Sequence, residues 1–143
     1  MIFSKVLSVL TAVFVLGGCA NKKCIPDVGV VLQGTNTAVV GLYLDENKNP
    51  QAVFEDVIVA PGQKIVFVGP DNFDILFKDQ KSPIGELEIK SSRGIVVIEI
   101  PKDVFEKEQR ASKSTTMKKE LVYRYGIRVA GRVTDPSIRI RPQ

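Results

Sequence analysis

With 143 residues, of which 44% are hydrophobic and 25% charged, the chain has the size and composition of one folded domain and is too short for two. A net charge of +4 is too weakly basic to indicate nucleic-acid binding. Because the sequence contains no histidine, Ser-His-Asp and Cys-His catalysis and histidine-based zinc sites are excluded. Its two cysteines, Cys19 and Cys24, lie close to the N-terminus, which excludes a disulfide framework for the domain.

The first 18 residues have the pattern of a secretory signal peptide, which is predicted to be helical. Lys5 gives a short basic start, and residues 6–16 form an apolar run of about eleven residues. A run of this length is too short to span a bilayer as a permanent helix. We therefore assign residues 1–18 to a leader rather than to the folded domain.

The end of this leader reads Leu16-Gly17-Gly18-Cys19 and resembles the bacterial lipobox, an aliphatic and two small residues before an invariant cysteine. The resemblance implies that Cys19 is lipidated and becomes the first mature residue, with residues 19–27 as a lipidated tether. The alternative is an ordinary secretory signal that happens to contain a cysteine. We interpret Cys24, in the same tether, as an incidental thiol, with an intermolecular disulfide as its alternative.

Lipidation also predicts where the protein resides. More than one acyl chain gives lasting membrane attachment, since each buried CH₂ contributes roughly 0.8 kcal/mol. By resemblance to Gram-negative sorting, Ala20 after the cysteine implies the outer membrane, with the domain facing the periplasm. In a Gram-positive organism the same signal implies a cytoplasmic-membrane lipoprotein.

Two strands and a hairpin loop are predicted at the start of the mature domain. Residues 28–32 and 38–44 are the predicted strands, with turn residues at 34–37 between them. Residues 45–50 are a predicted polar hairpin loop. Their D-x-N-x-N spacing is typical of the start of a calcium loop, but Pro50 stands where that loop needs glycine, so a turn is favoured.

Three short strands come next, at residues 57–60, 64–69 and 73–78, and we predict that they form a meander at the centre of the domain. β-branched and aromatic residues favour strands, and the Pro-Gly-Gln and Pro-Asp-Asn segments between them are typical of turns. Phe73, Ile75 and Phe77 alternate with polar residues, which predicts that they face the core.

The second half of the chain continues the strand pattern. The predicted elements are strands at 86–90, 95–100, 121–130 and 137–141, a turn at 131–135, and a polar connection at 102–117 with a short helix over 104–110. Residues 95–100 are nearly all apolar and are predicted to form a central strand covered on both faces. Seven or eight short strands with regular turns predict an all-β fold, a single Greek-key β-sandwich over residues 28–143.

From residue 57 onward the pattern resembles a cupredoxin-like domain. The matching motifs are the strand at 57–60, Pro61-Gly62-Gln63, the strand at 65–68, the aromatic strand at 73–77, Tyr123-Arg124-Tyr125 and the final strand at 138–140. Immunoglobulin-like sandwiches share such motifs, so both remain open. The copper ligands of the family are missing: Ile127 stands at the thiolate position, and no histidine exists. The resemblance therefore implies a member without copper, and we expect no cofactor.

Arg124, Arg128, Arg139 and Arg141 are predicted to share the outward face of the last two strands if these strands pair, with Arg132 at the corner between them. Like charges on neighbouring strands cost stability unless something offsets them. One interpretation is that Glu86, Glu88 or Glu99 supplies the counter-charge. The other is a docking patch for an anionic partner, since guanidinium groups bind carboxylates and phosphates through two bonds.

No enzyme is expected, because Asp71, Asp74 and Asp79 are predicted at turn or outward positions and the chain has no glycine-rich phosphate loop. Our leading hypothesis is a non-enzymatic, membrane-anchored envelope lipoprotein that binds or scaffolds another envelope protein or a cell-wall component. The alternative is a periplasmic cupredoxin-like domain with a changed site for a small ligand or metal.

Overall fold

The computed structural model describes residues 36–142, which form ten strands and one helix. In chain order they are β1 (Thr37–Leu44), β2 (Pro50–Ala52), β3 (Asp56–Val59), β4 (Lys64–Val68), β5 (Asp74–Phe77), β6 (Glu88–Lys90), β7 (Ile95–Glu99), α1 (Val104–Ser112), β8 (Leu121–Val129), β9 (Arg132–Thr134) and β10 (Ser137–Ile140). The predicted leader, Cys19, Cys24, the tether and the strand predicted at residues 28–32 lie outside the described residues.

The strands form two mixed sheets. The first sheet has the order β2-β1-β4-β7, and the second has the order β3-β10-β8-β5-β6 with β9 paired to β8. The β1–β4 and β3–β10 pairs are parallel, and the other pairs are antiparallel. The predicted all-β sandwich is therefore confirmed, with more strands in the described part than the seven or eight expected.

An aromatic contact joins the two sheets at the centre of the core. Tyr125 of β8 meets Phe67 of β4 edge to face, with ring centroids 5.4 Å apart, and Phe77 of β5 lies 6.5 Å away. All three rings are buried, as are the inward-facing isoleucines and valines of both sheets. Burial of these apolar side chains is the main stabilising contribution. The predicted inward face of β5, with Phe73 just before it, is confirmed.

The predicted meander is wrong, because β3, β4 and β5 are not neighbours in any sheet. β3 belongs to the second sheet, β4 to the first, and β5 again to the second. The turn after β3 is tied to β7 instead of closing a hairpin, since the Gly62 N–H donates to the Ile100 carbonyl and the Ile100 N–H donates to the Gln63 carbonyl. A turn motif reverses the chain, but it does not decide whether the strands on either side of it pair.

The prediction that residues 95–100 form a central, doubly covered strand is also wrong. β7 is the edge strand of the first sheet. Val96 and Ile98 are buried, but Ile95 and Val97 point outward and are 45% and 55% exposed. A short apolar run indicates a strand without showing how many of its faces are covered.

Most other element predictions are confirmed, with small shifts at the ends. The hairpin loop after β1 closes between Leu44 and Pro50. The helix α1 ends two residues later than predicted, at Ser112. The predicted turn at 131–135 instead contains β9, which follows a tight turn at Ala130 and Gly131, both with positive φ. β9 pairs with the end of β8.

Candidate docking surfaces

β8 and β10 pair antiparallel, and their register staggers the arginines. Arg124 of β8 lies opposite Ser137 of β10, and Arg139 lies opposite Val122. No two of these arginines are therefore directly opposed on this strand pair. The stagger avoids the closest like-charge contacts, which would lower stability.

Arg128 is held between two carboxylates on the outer face of the second sheet. It lies opposite Asp74 of β5, and its Nη2 is 2.6 Å from Asp74 Oδ2 and 2.7 Å from Glu88 Oε1. Its Nε also donates to Asp74 Oδ2 at 2.9 Å. These hydrogen bonds, with Asp74 first and Glu88 second, raise the pKa of the Arg128 guanidinium. The three side chains form a cross-strand bridge over β8, β5 and β6.

Glu120 connects the two arginines of the last strand. Its Oε1 accepts a 2.7 Å hydrogen bond from Arg141 Nε, and its Oε2 accepts a 3.4 Å bond from Arg139 Nη1. The bond from Arg141 is the main cause that lowers the pKa of the Glu120 carboxyl. Arg139 Nε also lies 3.0 Å from Asp56 Oδ2 in an ionic contact.

The two remaining arginines are more exposed. Arg124 Nε lies 3.5 Å from Asp79 Oδ2, with both side chains largely in solvent. Arg132 is exposed and makes no ion pair with residues 36–142. Four of the five arginines are thus already paired with carboxylates of this chain, so an anionic partner would have to compete with those carboxylates or bind beside Arg132.

Of the counter-charges named from the sequence, Glu88 is the one observed next to an arginine in the described part. Glu99 instead pairs with Lys64 at 3.6 Å in the first sheet. The carboxylates that do pair with arginines are Asp56, Asp74, Asp79, Glu88 and Glu120. Sequence reasoning missed most of them because the placement of β5 and β3 beside β8 and β10 depends on long-range pairing.

The outer face of the first sheet is apolar, in contrast to the charged second sheet. Cross-strand register puts Val39, Val66 and Val97 in one row, and Val68 and Ile95 in the next. Gly41 of β1 has no side chain, and Val53 packs over it, since a Cβ at Gly41 would lie 3.0 Å from Val53 Cγ2. Tyr43 extends this surface along β1. We call this surface the apolar face; its residues are Val39, Tyr43, Val53, Val66, Val68, Ile95 and Val97.

Most residues of the apolar face are about half exposed, from 42% at Val68 to 55% at Val97. Sequence reasoning missed this face because it predicted that both faces of β7 would be covered. The sequence nevertheless contained a signal for this face, because β1, β4 and β7 carry apolar residues at outward-facing positions as well as at inward-facing ones. Contiguous exposed apolar surface of this kind marks interaction sites.

An open groove of about 870 Å³ runs beside the β1–β2 hairpin and reaches the second sheet. Several carboxylates line it, but most are engaged locally. Asp45 accepts hydrogen bonds from the Asn47 and Asn49 N–H groups, and these bonds, with Asn49 first, lower the pKa of its carboxyl. Asp135 pairs with Lys78, and Asp56 pairs with Arg139. In residues 36–142, no group of three or more Cys, Asp or Glu is placed to hold a metal ion.

The two tyrosines of β8 are poor candidates for acid-base chemistry at neutral pH. Burial, followed by the charge of Glu108, raises the pKa of Tyr123 to about 12. Burial, followed by the charge of Asp56, raises the pKa of Tyr125 further. Both hydroxyls therefore remain protonated under physiological conditions.

A pocket of about 280 Å³ lies beside β5 and β8. It brings the Asn72–Phe73 loop beside Ala130 and Gly131. Its wall also carries Asp74 and Arg128, which are hydrogen-bonded to each other. Ile127, at the thiolate position, is fully buried.

Helices long and apolar enough to cross a bilayer do not occur within residues 36–142. Comparison with protein-family models and with curated proteins finds no match for this chain.

Proposed function

We propose that the protein is a non-enzymatic, lipid-anchored binding module of the cell envelope. Cys19 is the proposed attachment point, and the apolar face is the proposed contact surface for another envelope protein. The observation that carries this proposal is the contrast between the two outer faces. The second sheet is covered by paired charges, whereas the first exposes adjoining valines, an isoleucine and a tyrosine.

The chemistry of the apolar face favours a protein partner over a lipid headgroup surface. An anionic membrane attracts clusters of lysine and arginine. On the outer side of β4 and β7, however, the charged residues are Lys64 and Glu99, which pair with each other. We therefore expect an apolar protein surface as the partner, with the acyl chains supplying the membrane attachment.

The size of the apolar face indicates a partner bound with the help of the anchor. Its exposed apolar area is on the order of 500 Å², within the range of the largest patch on a typical monomer. A stable standard interface buries about 800 Å² on each partner. Confinement of both partners at one membrane raises their effective concentration and compensates for a small contact.

Two features support a cupredoxin-like frame over an immunoglobulin-like one. The immunoglobulin sandwich consists of two antiparallel sheets, whereas here β1–β4 and β3–β10 are parallel. The resemblance would also place metal ligands near Asn72 and Phe73 and in the turn that begins at Gly131, and these two segments meet at one pocket.

That pocket supports the alternative function, a periplasmic domain that handles a small ligand or metal at a changed site. Titration of the protein with copper or zinc tests it. Stoichiometric binding that raises the Tm, and that is lost on Asp74→Asn, would favour this alternative over a docking role.

The docking proposal is tested by site-specific photo-crosslinking in cells. A crosslinking residue at position 97 is expected to give a discrete adduct with another envelope protein, and Val39→Glu is expected to abolish that adduct. The matched control is position 122, since Val122 is 48% exposed on the second sheet. The proposal is wrong if positions 97 and 122 give the same products, if the adduct has the mass of two copies of this chain, or if it survives Val39→Glu.

A further inference from the structure

The outer edge of β7 has no neighbouring strand within residues 36–142, because β7 is the last strand of the first sheet. Its pairing with β4 identifies the direction of each peptide group. The Gly94 carbonyl accepts a hydrogen bond from Gly69, just after β4, and the Ile100 N–H donates to the residue just before β4. Residues of an antiparallel strand direct their N–H and C=O groups alternately to its two sides. The even-numbered residues of β7 therefore bond to β4, and the odd-numbered residues face the open edge.

Two of the odd-numbered residues leave their peptide groups available at this edge. The third, Ile95, is used in a local turn, because its N–H donates to the Ser92 carbonyl and its carbonyl accepts from the Ser92 N–H. The peptide groups of Val97 and Glu99 make no hydrogen bond with any other group in residues 36–142. Their donors and acceptors are aligned along the edge, in the arrangement that an added strand needs.

β7 also lacks the features with which proteins protect strand edges. Short strands, charged side chains and prolines hinder the addition of a foreign strand. Among the other strands at the sheet ends, β2 and β6 have three residues each; β2 begins with Pro50, and β6 contains Glu88 and Lys90. The four-residue β3 begins with Asp56. β7 has five residues in continuous register with β4, and Glu99 at its end is its one charged residue.

We propose that the envelope partner contributes an extended strand that pairs along the open edge of β7. This inference rests on the proposed docking function and specifies the form of the partner's contact. Backbone hydrogen bonds to Val97 and Glu99 would hold the strand, and its outward side chains would continue the apolar face beyond β7. Strand addition of this kind is a common mode of peptide recognition, in which the backbone gives affinity and the side chains give specificity.

The side chains along the edge assign a chemistry to the partner strand. Val97 is 55% exposed, so the partner residue beside it should be apolar. The Glu99 side chain is 67% exposed, and its ion pair with Lys64 at 3.6 Å lies on the β4 side. Opposite charges on neighbouring strands stabilise a sheet. The partner residue beside Glu99 should therefore be lysine or arginine.

A second copy of this chain fits the edge less well than such a strand. Two copies of β7 related by a two-fold axis can align Val97 with Val97, Val97 with Glu99, or Glu99 with Glu99. The first register places Glu99 opposite Ile95, whose peptide groups are already bonded to Ser92. The second places a carboxylate beside an apolar side chain, and the third opposes two like charges, which lowers stability. The edge therefore favours a strand of different sequence.

Photo-crosslinking in cells from position 68 tests strand pairing separately from docking. Val68 belongs to the apolar face but lies on β4, so a crosslinking residue there reports docking without altering β7. Val97→Pro removes an outward N–H and leaves the bonds to β4, and proline is tolerated at such edge positions. We expect Val97→Pro to lower the adduct yield about tenfold. Val97→Thr keeps the N–H and the shape of the side chain, and should lower the yield by less than about threefold.

The outcomes separate the two proposals. An adduct at position 68 that survives Val97→Pro overturns strand pairing and leaves the docking proposal standing. If position 68 gives no adduct in the wild-type background, docking itself fails, and strand pairing fails with it. Thermal unfolding of purified Val97→Pro checks that the variant is folded.

Charge reversal at the same edge tests the partner's basic residue and does not depend on the tolerance of proline. Glu99→Lys should lower the adduct yield at position 68 about fivefold. Glu46→Lys is the matched control and should leave the yield unchanged, because Glu46 is exposed in the β1–β2 hairpin loop at the opposite end of the first sheet. Equal losses in the two variants, or no loss in Glu99→Lys, would overturn the proposed pairing.

Discussion

Tyr125→Phe should stabilise the protein, although loss of a tyrosine hydroxyl usually weakens a protein core. The Tyr125 side chain is fully buried between the sheets. Its hydroxyl has no hydrogen-bond partner in residues 36–142. A phenylalanine would keep the edge-to-face contact with Phe67 and the contact with Phe77. The substitution therefore removes an unsatisfied polar atom and preserves the packing of the ring.

The expected gain follows from two opposing contributions. Leaving a hydroxyl buried without a partner costs about 1–3 kcal/mol relative to its hydrated state in the unfolded chain. Removing one oxygen leaves a small void, which costs roughly 0.5 kcal/mol. The free energy of unfolding should rise by about 1 kcal/mol, which corresponds to an increase of about 4 °C in Tm for a domain of this size.

Chemical and thermal unfolding of the wild type and the variant measure this change. Tyr123→Phe is the matched control on the same strand, because Tyr123, although also buried, lines an open pocket. We expect Tyr123→Phe to change the free energy of unfolding by less than about 0.5 kcal/mol at neutral pH. A loss of stability in Tyr125→Phe would show that the hydroxyl has a bonded partner and would refute the reasoning.

Three further predictions concern backbone strain, pH and the anchor. In a denaturation assay, Gly94→Ala should lower the free energy of unfolding by about 2–4 kcal/mol. The reason is that Gly94 has φ +73° and a Cβ there would lie 2.6 Å from the Gly69 carbonyl oxygen. Gly85→Ala is the control, because Gly85 has φ +86° but open space around it, and it should cost about 1 kcal/mol in the same assay. The pKa of Tyr123 is raised to about 12 in the folded protein, so the protonated form of Tyr123 favours the folded state. The stability that this contributes should be lost as the pH rises from about 10 toward 12. Measured as unfolding at several pH values, Tyr123→Phe should reduce that loss. Cys19→Ala should abolish metabolic acyl labelling, and labelling that persists would contradict the proposed anchor.

Local patterns predicted the positions of eight of the ten described strands, all except β2 and β9. Alternation places Tyr123, Tyr125 and Ile127 on one side of β8, opposite the outward arginines, and all three are buried. Residues 95–100, by contrast, were predicted to be covered on both faces because they are nearly all apolar, and this environment was wrong, since Ile95 and Val97 are exposed. The composition of a strand reports its own preferences and does not report whether a second layer covers its outer face.

The candidate surfaces likewise depend partly on local sequence pattern and partly on which strands pair. The outward direction of Arg128 followed from its place in the strand, but its partner Asp74 became identifiable only when β5 was found beside β8. The apolar face likewise exists because β1, β4 and β7 are neighbours, and the cross-strand row of Val39, Val66 and Val97 joins residues far apart in sequence.

The sequence by itself determined most of the strand positions, the side of each strand that faces the core, and the absence of histidine chemistry, and it predicted a leader with a lipobox-like end. These properties depend on residues within a few positions of one another. The tertiary structure alone decided which strands pair, which carboxylates balance the arginines, and which sheet presents an apolar outer face. Such pairings join distant residues, as Asp56 and Ser137 do across 81 positions. The packing of the whole chain selects them, because period-two alternation is satisfied equally well by many strand orders.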